Sequence, residues 1–247
     1  MANLIPPPPI EPDWALFVDV DGTLLEIAPE PDAVHVPEHL PSLLQRLQNN
    51  HGGALALISG RPIAALDRLF RPWHGAAAGL HGGERRRPDG SCVANSDEEA
   101  AATLDRIRPA AAALAARAPG IGFEDKGRAL ALHYRGAPRR ASEVAGFAQQ
   151  AVAESGQSLR AIAGKLVMEL VPRGYGKGRA VAAFLAEPPF RGRIPAFLGD
   201  DVTDEEGFAE VARHQGVAIR VGPADAETAA QYALPDVGTA LAWLASG

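Results

Sequence analysis

Leu16-Phe17-Val18-Asp19-Val20-Asp21-Gly22-Thr23-Leu24-Leu25 carries an apolar run of strand type straight into two carboxylates one residue apart. Side chains alternate along an extended backbone, so Asp19 and Asp21 point to the same side, and Gly22 then lets the chain turn. Two like charges that close repel, and a cation or a proton must compensate them. Taken alone, the pair fits either a metal-dependent site or an acidic surface turn at the end of a strand.

The surroundings place this stretch in a recurring pattern. Strands are predicted over Ala15–Val20, Ala54–Ile58 and Ala76–Leu80, with helices over Pro37–Asn50 and Pro62–Phe70. The tail repeats the pattern: helices over Gly178–Leu185 and Asp204–His214, strands over Pro195–Leu198 and Val217–Val221, then helices over Ala224–Tyr232 and Gly238–Ala245. Continuous apolar strands alternating with helices indicate a doubly wound parallel sheet, an α/β core covered on both faces. The middle differs. Helices over Glu98–Ala118 and Ser142–Glu154 accompany alternating strands over Leu130–Tyr134 and Lys165–Val171, the pattern of an antiparallel sheet with helices on one side. The expected organisation is a core from 1–98 and 174–247 with a smaller α+β domain, 99–173, inserted in it.

Composition narrows the function. The 247 residues are 47% hydrophobic and 22% charged, as in ordinary globular proteins, and the net charge of -6 argues against a nucleic-acid footprint. Arg85-Arg86-Arg87, followed by Pro88-Asp89-Gly90, reads as a solvated hairpin. A single cysteine, Cys92, excludes an internal disulfide and a thiolate zinc site, which fits a cytoplasmic protein. No stretch approaches the roughly 18 apolar residues of a membrane span. Pro6-Pro7-Pro8-Pro9 occupies the place where a signal peptide needs its apolar core, and residues 1–12 are expected to be a poorly ordered lead-in.

Four polar clusters fall at predicted strand ends or helix starts, where open α/β sheets bind ligands. They are Asp19-Val20-Asp21-Gly22-Thr23, Ser59-Gly60-Arg61, Lys177 between two glycines, and Gly199-Asp200-Asp201 continuing to Asp204-Glu205. Each has a plain alternative: turn chemistry for Ser59-Gly60, a solvated lysine, and acids suited to a helix N-terminus at 200–205. Their joint order resembles the haloacid dehalogenase-type (HAD) phosphohydrolase superfamily. That resemblance implies Asp19 as a nucleophile forming an aspartyl phosphate, Asp21 as general acid and base, Ser59 as a donor to the phosphoryl group, and Lys177 as electrostatic stabiliser. It also implies Mg2+ held at Asp19, the Val20 main-chain carbonyl and Asp200, with Asp21 and Asp201 close by.

The inserted segment falls where this superfamily places a cap that reads the leaving group. Within it, Lys165, Val167 and Glu169 share one face if that strand is continuous, with Lys165 and Glu169 about 13 Å apart. Glu124 and Lys126 project together from an extended segment. Exposed ion pairs explain such charges as well as a site for a hydroxyl-rich sugar does. Glu124-Asp125-Lys126, His133-Tyr134-Arg135, Lys165 to Glu169 and Gly174-Tyr175-Gly176-Lys177-Gly178 resemble the trehalose-6-phosphate phosphatases. The resemblance implies sugar contacts for Glu124, Lys126, Lys165 and Glu169, and further substrate contacts for Arg61 and His81. It implies a monomer acting on the small molecule trehalose 6-phosphate, with no nucleic-acid or membrane partner. Another ester, such as sucrose 6-phosphate or glucosylglycerol phosphate, and a non-catalytic sugar-phosphate-binding homologue are the alternatives.

Overall fold

The computed structural model describes residues 5–28, 33–94, 97–223 and 227–247. They divide into two units, one from the described residues of 1–94 and 176–247, the other from those of 95–175. The chain opens with β1 (Trp14–Val18), α1 (Leu40–Asn50), β2 (Leu55–Ile58), α2 (Ile63–Leu69), β3 (Ala76–Gly79), β4 (Glu84–Arg86) and β5 (Cys92–Ala94). The second unit contributes α3 (Glu98–Arg117), β6 (Gly122–Asp125), β7 (Leu130–His133), α4 (Ala141–Ala153), β8 (Leu159–Gly164) and β9 (Val167–Pro172). The first unit resumes with α5 (Lys177–Leu185), β10 (Ile194–Gly199), α6 (Glu205–Arg213), β11 (Val217–Val221), β12 (Tyr232–Leu234) and α7 (Val237–Leu244).

Among the described residues the larger sheet runs β12-β11-β10-β1-β2-β3-β4-β5. It is parallel from β12 to β3 and closes with the antiparallel β3-β4-β5 meander. Strand β1 shows why it is central. Trp14, Leu16 and Val18 enter one apolar layer with Leu40, Leu43, Leu44 and Leu47 of α1, while Ala15 and Phe17 enter the opposite layer with Phe184 of α5 and Phe208 of α6. Period-two alternation thus feeds both faces of a doubly wound sheet. The leucines of α1 recur at helical spacing, and burying each contributes about 1.5–3 kcal/mol. On the other face Phe17 stacks on Phe190 at 5.4 Å between ring centroids.

Register levels the strand ends. Val18 pairs with Leu198 of β10 and with Leu57 of β2. The residues that follow β1, β2 and β10 therefore emerge at one edge, at the point where connections leave β1 in opposite directions.

The smaller unit is antiparallel throughout, in the order β6-β7-β9-β8. Leu130 and Leu132 of β7, with Met168 and Leu170 of β9, pack on Leu104 and Leu114 of α3 and on Val144 and Ala148 of α4. The opposite face of the sheet carries Glu124, Ala131, His133, Val167 and Glu169, by strand alternation.

Several expectations need correction. The lead-in is built into the larger unit from Ile5 onward. Ile5 bridges to Tyr232, its carbonyl accepts from Ala233 N at 3.1 Å, and Trp243 Nε1 donates to Pro8 O at 3.0 Å. Proline carbonyls remain good acceptors, so the tract is held by partners from the far end of the chain. Of the helix predicted over Ala224–Tyr232, 224–226 lie outside the described residues, 227–231 are irregular rather than helical, and Tyr232 opens β12. Pairing with β11 and with Ile5 overrides local helical propensity there.

The arginine cluster is not solvated. Strand alternation sends Arg86 to one face, where it is 2% exposed and bonds Asp67 and Gly75 O. Arg85 and Arg87 go to the other face and clamp Glu187. The strand predicted over Lys165–Val171 is β9, but it begins only at Val167: Lys165 and Leu166 form the turn of a hairpin with β8, which ends at Gly164. Leu166 takes the left-handed conformation, φ +60°, in the turn.

Candidate active site

Asp19 follows β1 directly and is tied to the next strand by Asp19 N donating to Leu198 O at 2.9 Å. Its carboxylate is buried, and Lys177 Nζ donates to Oδ1 at 2.7 Å. Lys177 is the first residue of α5 and is itself 3% exposed. The same ammonium donates to Asp204 Oδ1 at 2.6 Å, and Asp204 Oδ2 accepts from the main-chain N–H groups of Asp200 and Asp201. Asp204 is fully buried. Gly22 shows how tightly these parts fit. It turns with φ +89°, and a Cβ there would stand 2.1 Å from Asp200 Oδ2, so only glycine lets Asp200 reach the β1 loop.

Carboxylate oxygens of Asp19, Asp200 and Asp204 lie within 4.8 Å of one another, all three residues buried. Ionised together, three carboxylates and one ammonium carry a net charge of about -2, which a low-dielectric site does not hold unaided. Burial pushes Asp19 well above the usual carboxylate range. Lys177 opposes that rise, while Asp204 and Asp200 add to it. Burial also works against the Lys177 charge, but Asp19 and Asp204 outweigh it and hold the ammonium protonated. A hard divalent cation matches both the all-oxygen donor set and the missing charge, so the residues present fit the expected metal.

Asp21 has a different environment. Both its oxygens accept from Arg61, Nε to Oδ2 and Nη2 to Oδ1, each at 2.7 Å, the bidentate geometry that suits arginine. Ser59, 1% exposed, accepts from Arg61 N at 3.1 Å through its hydroxyl. His81 is buried in a left-handed turn, φ +54°, with its N–H on Ser59 O. Its ring lies over Gly60, where a Cβ would come within 2.7 Å of Nε2.

Three expected metal groups have other partners. The Val20 carbonyl accepts from Leu24 N and Leu25 N, both at 2.9 Å, and so already serves two donors of the turn that follows β1. The Asp21 carboxylate is committed to Arg61. Asp201 caps the turn after β10 by accepting from Val202 N at 2.8 Å, and the carboxylate grouped with Asp19 and Asp200 is that of Asp204 instead.

Within the smaller unit, Lys126 and Glu169 form an ion pair at 2.6 Å, with side chains 6% and 9% exposed. Glu124 Oε2 pairs with His133 Nε2 at 2.8 Å. Burial raises the Glu124 carboxyl, but His133 and Lys126 outweigh it and leave the group below its ordinary range. Glu124, Lys126 and Glu169 therefore assemble on one face. Lys165 does not join them through a shared strand: it is exposed in the β8–β9 turn, with its carbonyl accepting from Arg135.

A sequence model of the trehalose-phosphatase family matches residues 17–237. The chain belongs to the trehalose-phosphatase family. It is 48% identical over 213 residues to a probable trehalose-phosphate phosphatase of Sinorhizobium fredii, covering 85% of this chain and 78% of that protein. It is 42% identical over 237 residues to the trehalose-6-phosphate phosphatase of Escherichia coli, covering 96% and 87%. Among solved structures, the C-terminal domain of the Candida albicans trehalose-6-phosphate phosphatase superposes with a TM-score of 0.81 at 22% identity, covering 94% of this chain and 90% of that one. That likeness shows the shared fold.

For this trehalose-phosphatase, sequence reasoning left out two site residues. Asp204 reads locally as an acid at a helix start, and His133 as part of an alternating strand. The signal for Asp204 in the sequence was its place in the acidic run after Gly199, since a run of carboxylates at a strand end needs a cationic partner.

Proposed function

We propose that this trehalose-phosphatase family member hydrolyses trehalose 6-phosphate to trehalose and phosphate through a phosphoryl group carried on Asp19. The observation that supports this most directly is the buried Lys177–Asp19 contact beside Asp200, at the levelled ends of β1 and β10. Lys177 occupies Asp19 Oδ1, which leaves Oδ2 to attack phosphorus as the bond to the sugar oxygen breaks. Asp21, entering the reaction with a proton on the oxygen released by Arg61, gives that proton to the departing oxygen, then takes one from the water that attacks the aspartyl phosphate. To do so, one Asp21 oxygen exchanges its Arg61 hydrogen bond for the sugar oxygen. The Ser59 hydroxyl accepts from Arg61 N and directs its own proton to the phosphoryl oxygens. Lys177 neutralises charge that builds on them. Asp19 and Asp200, beside Asp204, would hold Mg2+, which when bound offsets the charge of the transferring phosphoryl group. Glu124, Lys126 and Glu169 bind the sugar hydroxyls, and His81 supports the Ser59 loop.

A phosphate-release panel over sugar phosphates, with Mg2+ and with EDTA, tests the reading. Trehalose 6-phosphate should head the panel and EDTA should stop release. Replacing Lys126 or Glu169 with Ala should cut trehalose 6-phosphate turnover far more than turnover of a small aryl phosphate. Preference for sucrose 6-phosphate, or release indifferent to EDTA, would count against it. A cytoplasmic, monomeric enzyme completes the proposal. It draws support from the single exposed cysteine and from the absence, among the described residues, of a helix long and apolar enough to cross a membrane.

A further inference from the structure

The charged face of the smaller sheet has a specific construction. Glu124 on β6 stands opposite Ala131 on β7, which stands opposite Glu169 on β9. The two glutamates thus flank a single alanine on the same face, their backbones about 10 Å apart over two strand spacings. Lys126 lies on the β6 side and reaches Glu169 on β9, so its side chain crosses β7. Ala129 and Ala131, both fully buried although their neighbours Leu130 and Leu132 take the helix-facing side, are the residues that allow this crossing. A larger side chain at either position would lift the lysine off the sheet.

Lys126 thereby fixes one carboxylate. The other, Glu124, is fixed by His133. These residues are not directly opposite: His133 pairs in register with Gly122, and Glu124 lies two residues further along the same face. A diagonal pair of this kind is bridged only by a side chain long and stiff enough to span it. The imidazole does so, with Nε2 2.8 Å from Glu124 Oε2. The contact occupies one oxygen of Glu124 and leaves Oε1 to accept from a hydroxyl. It also counters the repulsion between Glu124 and Glu169.

We propose that His133 is a positioning residue for sugar recognition, holding Glu124 so that its second oxygen meets a hydroxyl of the bound sugar. The inference rests on trehalose 6-phosphate as substrate and adds a residue that acts through Glu124 rather than on the sugar. His133→Phe keeps a ring and removes the donor, whereas His133→Gln places an amide N–H where Nε2 stands. With trehalose 6-phosphate, the Phe variant should raise KM about tenfold and change kcat less than about threefold, the effect of losing uniform binding through one charged hydrogen bond. The Gln variant should recover KM to within about threefold of wild type. Turnover of a small aryl phosphate should stay within about twofold in both, which also reports an intact fold.

Equal losses on both esters, an unchanged KM in the Phe variant, or a Gln variant as impaired as Phe would each overturn the role of His133. A wild-type enzyme that hydrolyses the aryl phosphate but leaves trehalose 6-phosphate intact would overturn the substrate reading, and this proposal with it.

Discussion

Asp204 Oδ1 accepts a hydrogen bond from Lys177 Nζ at 2.6 Å, and neither side chain is more than 4% exposed. Through its other oxygen Asp204 holds the N–H groups of Asp200 and Asp201. One buried acid therefore couples the cation that steadies Asp19 to the loop that presents Asp200.

Asp204→Asn should separate those two functions. An amide can still accept from Lys177, but it lacks the charge and cannot also receive two main-chain donors in the same way. Breaking a buried pair costs roughly 3–5 kcal/mol, and misplaced electrostatic stabilisation costs about 10²–10³ in kcat. Urea denaturation and phosphate release measure both. A variant with near wild-type turnover would show that Lys177 is positioned without Asp204.

Asp19→Asn should lose turnover by more than about 10³-fold, because an amide oxygen is a poor nucleophile toward phosphorus. The same change removes a carboxyl that burial and its acidic neighbours disfavour ionising. In metal-free buffer the variant should therefore melt no lower than wild type. Retained activity would sink the covalent mechanism; a collapse of the melting point would sink the charge argument.

Gly22→Ala inserts a methyl group where Asp200 Oδ2 would be 2.1 Å away, on a backbone with φ +89°. The strained residue costs about 1–3 kcal/mol, and Asp200 must move. Half-maximal activation by Mg2+ should shift upward by about tenfold or more, visible in a metal titration of activity. An unchanged titration would mean that Asp200 does not contribute to holding the ion.

Glu187 supplies a pH-dependent term to stability. Hydrogen bonds from Arg85 and then Arg87 pull its carboxyl down to about 2 from an ordinary 4.5. A folded value below the unfolded one means the stabilisation is complete above about pH 5 and disappears as pH falls toward 2. Wild type should melt above Glu187→Gln at neutral pH, and the gap should close across that acidic window. A gap constant from pH 7 to pH 2 would show that shape rather than charge holds the clamp.

The core was readable because its information is local. Trp14 to Val18 is apolar at every position, as a strand covered on both faces must be, and the polar clusters follow immediately where such strands end. What stayed hidden depends on partners far along the chain. Trp243 and Tyr232 give the Pro6–Pro9 tract its place, and no pattern within the tract announces them. Arg85, Arg86 and Arg87 divide between two faces only once β4 is known to be a strand. Lys165 was misplaced because Leu159-Arg160-Ala161-Ile162-Ala163-Gly164 is rich in small residues and reads weakly as β8, which concealed the hairpin. Asp204 reads as a helix-starting acid, and it does precede α6, but its oxygens are spent on Lys177 and the β10 loop.

The pairing of β1 with β10 joins Trp14 to Ile194, whereas every pairing of β6 to β9 closes between neighbours in the chain or nearly so. During synthesis the centre of the larger sheet must wait for its partner, since distant pairing cannot begin until both strands exist. A ribosome that has just released residue 175 has exposed all four strands of the smaller sheet and none of β10 to β12. Protease protection of stalled nascent chains should then appear first within 97–175. The inserted segment is complete while the apolar strand before Asp19 still lacks β10.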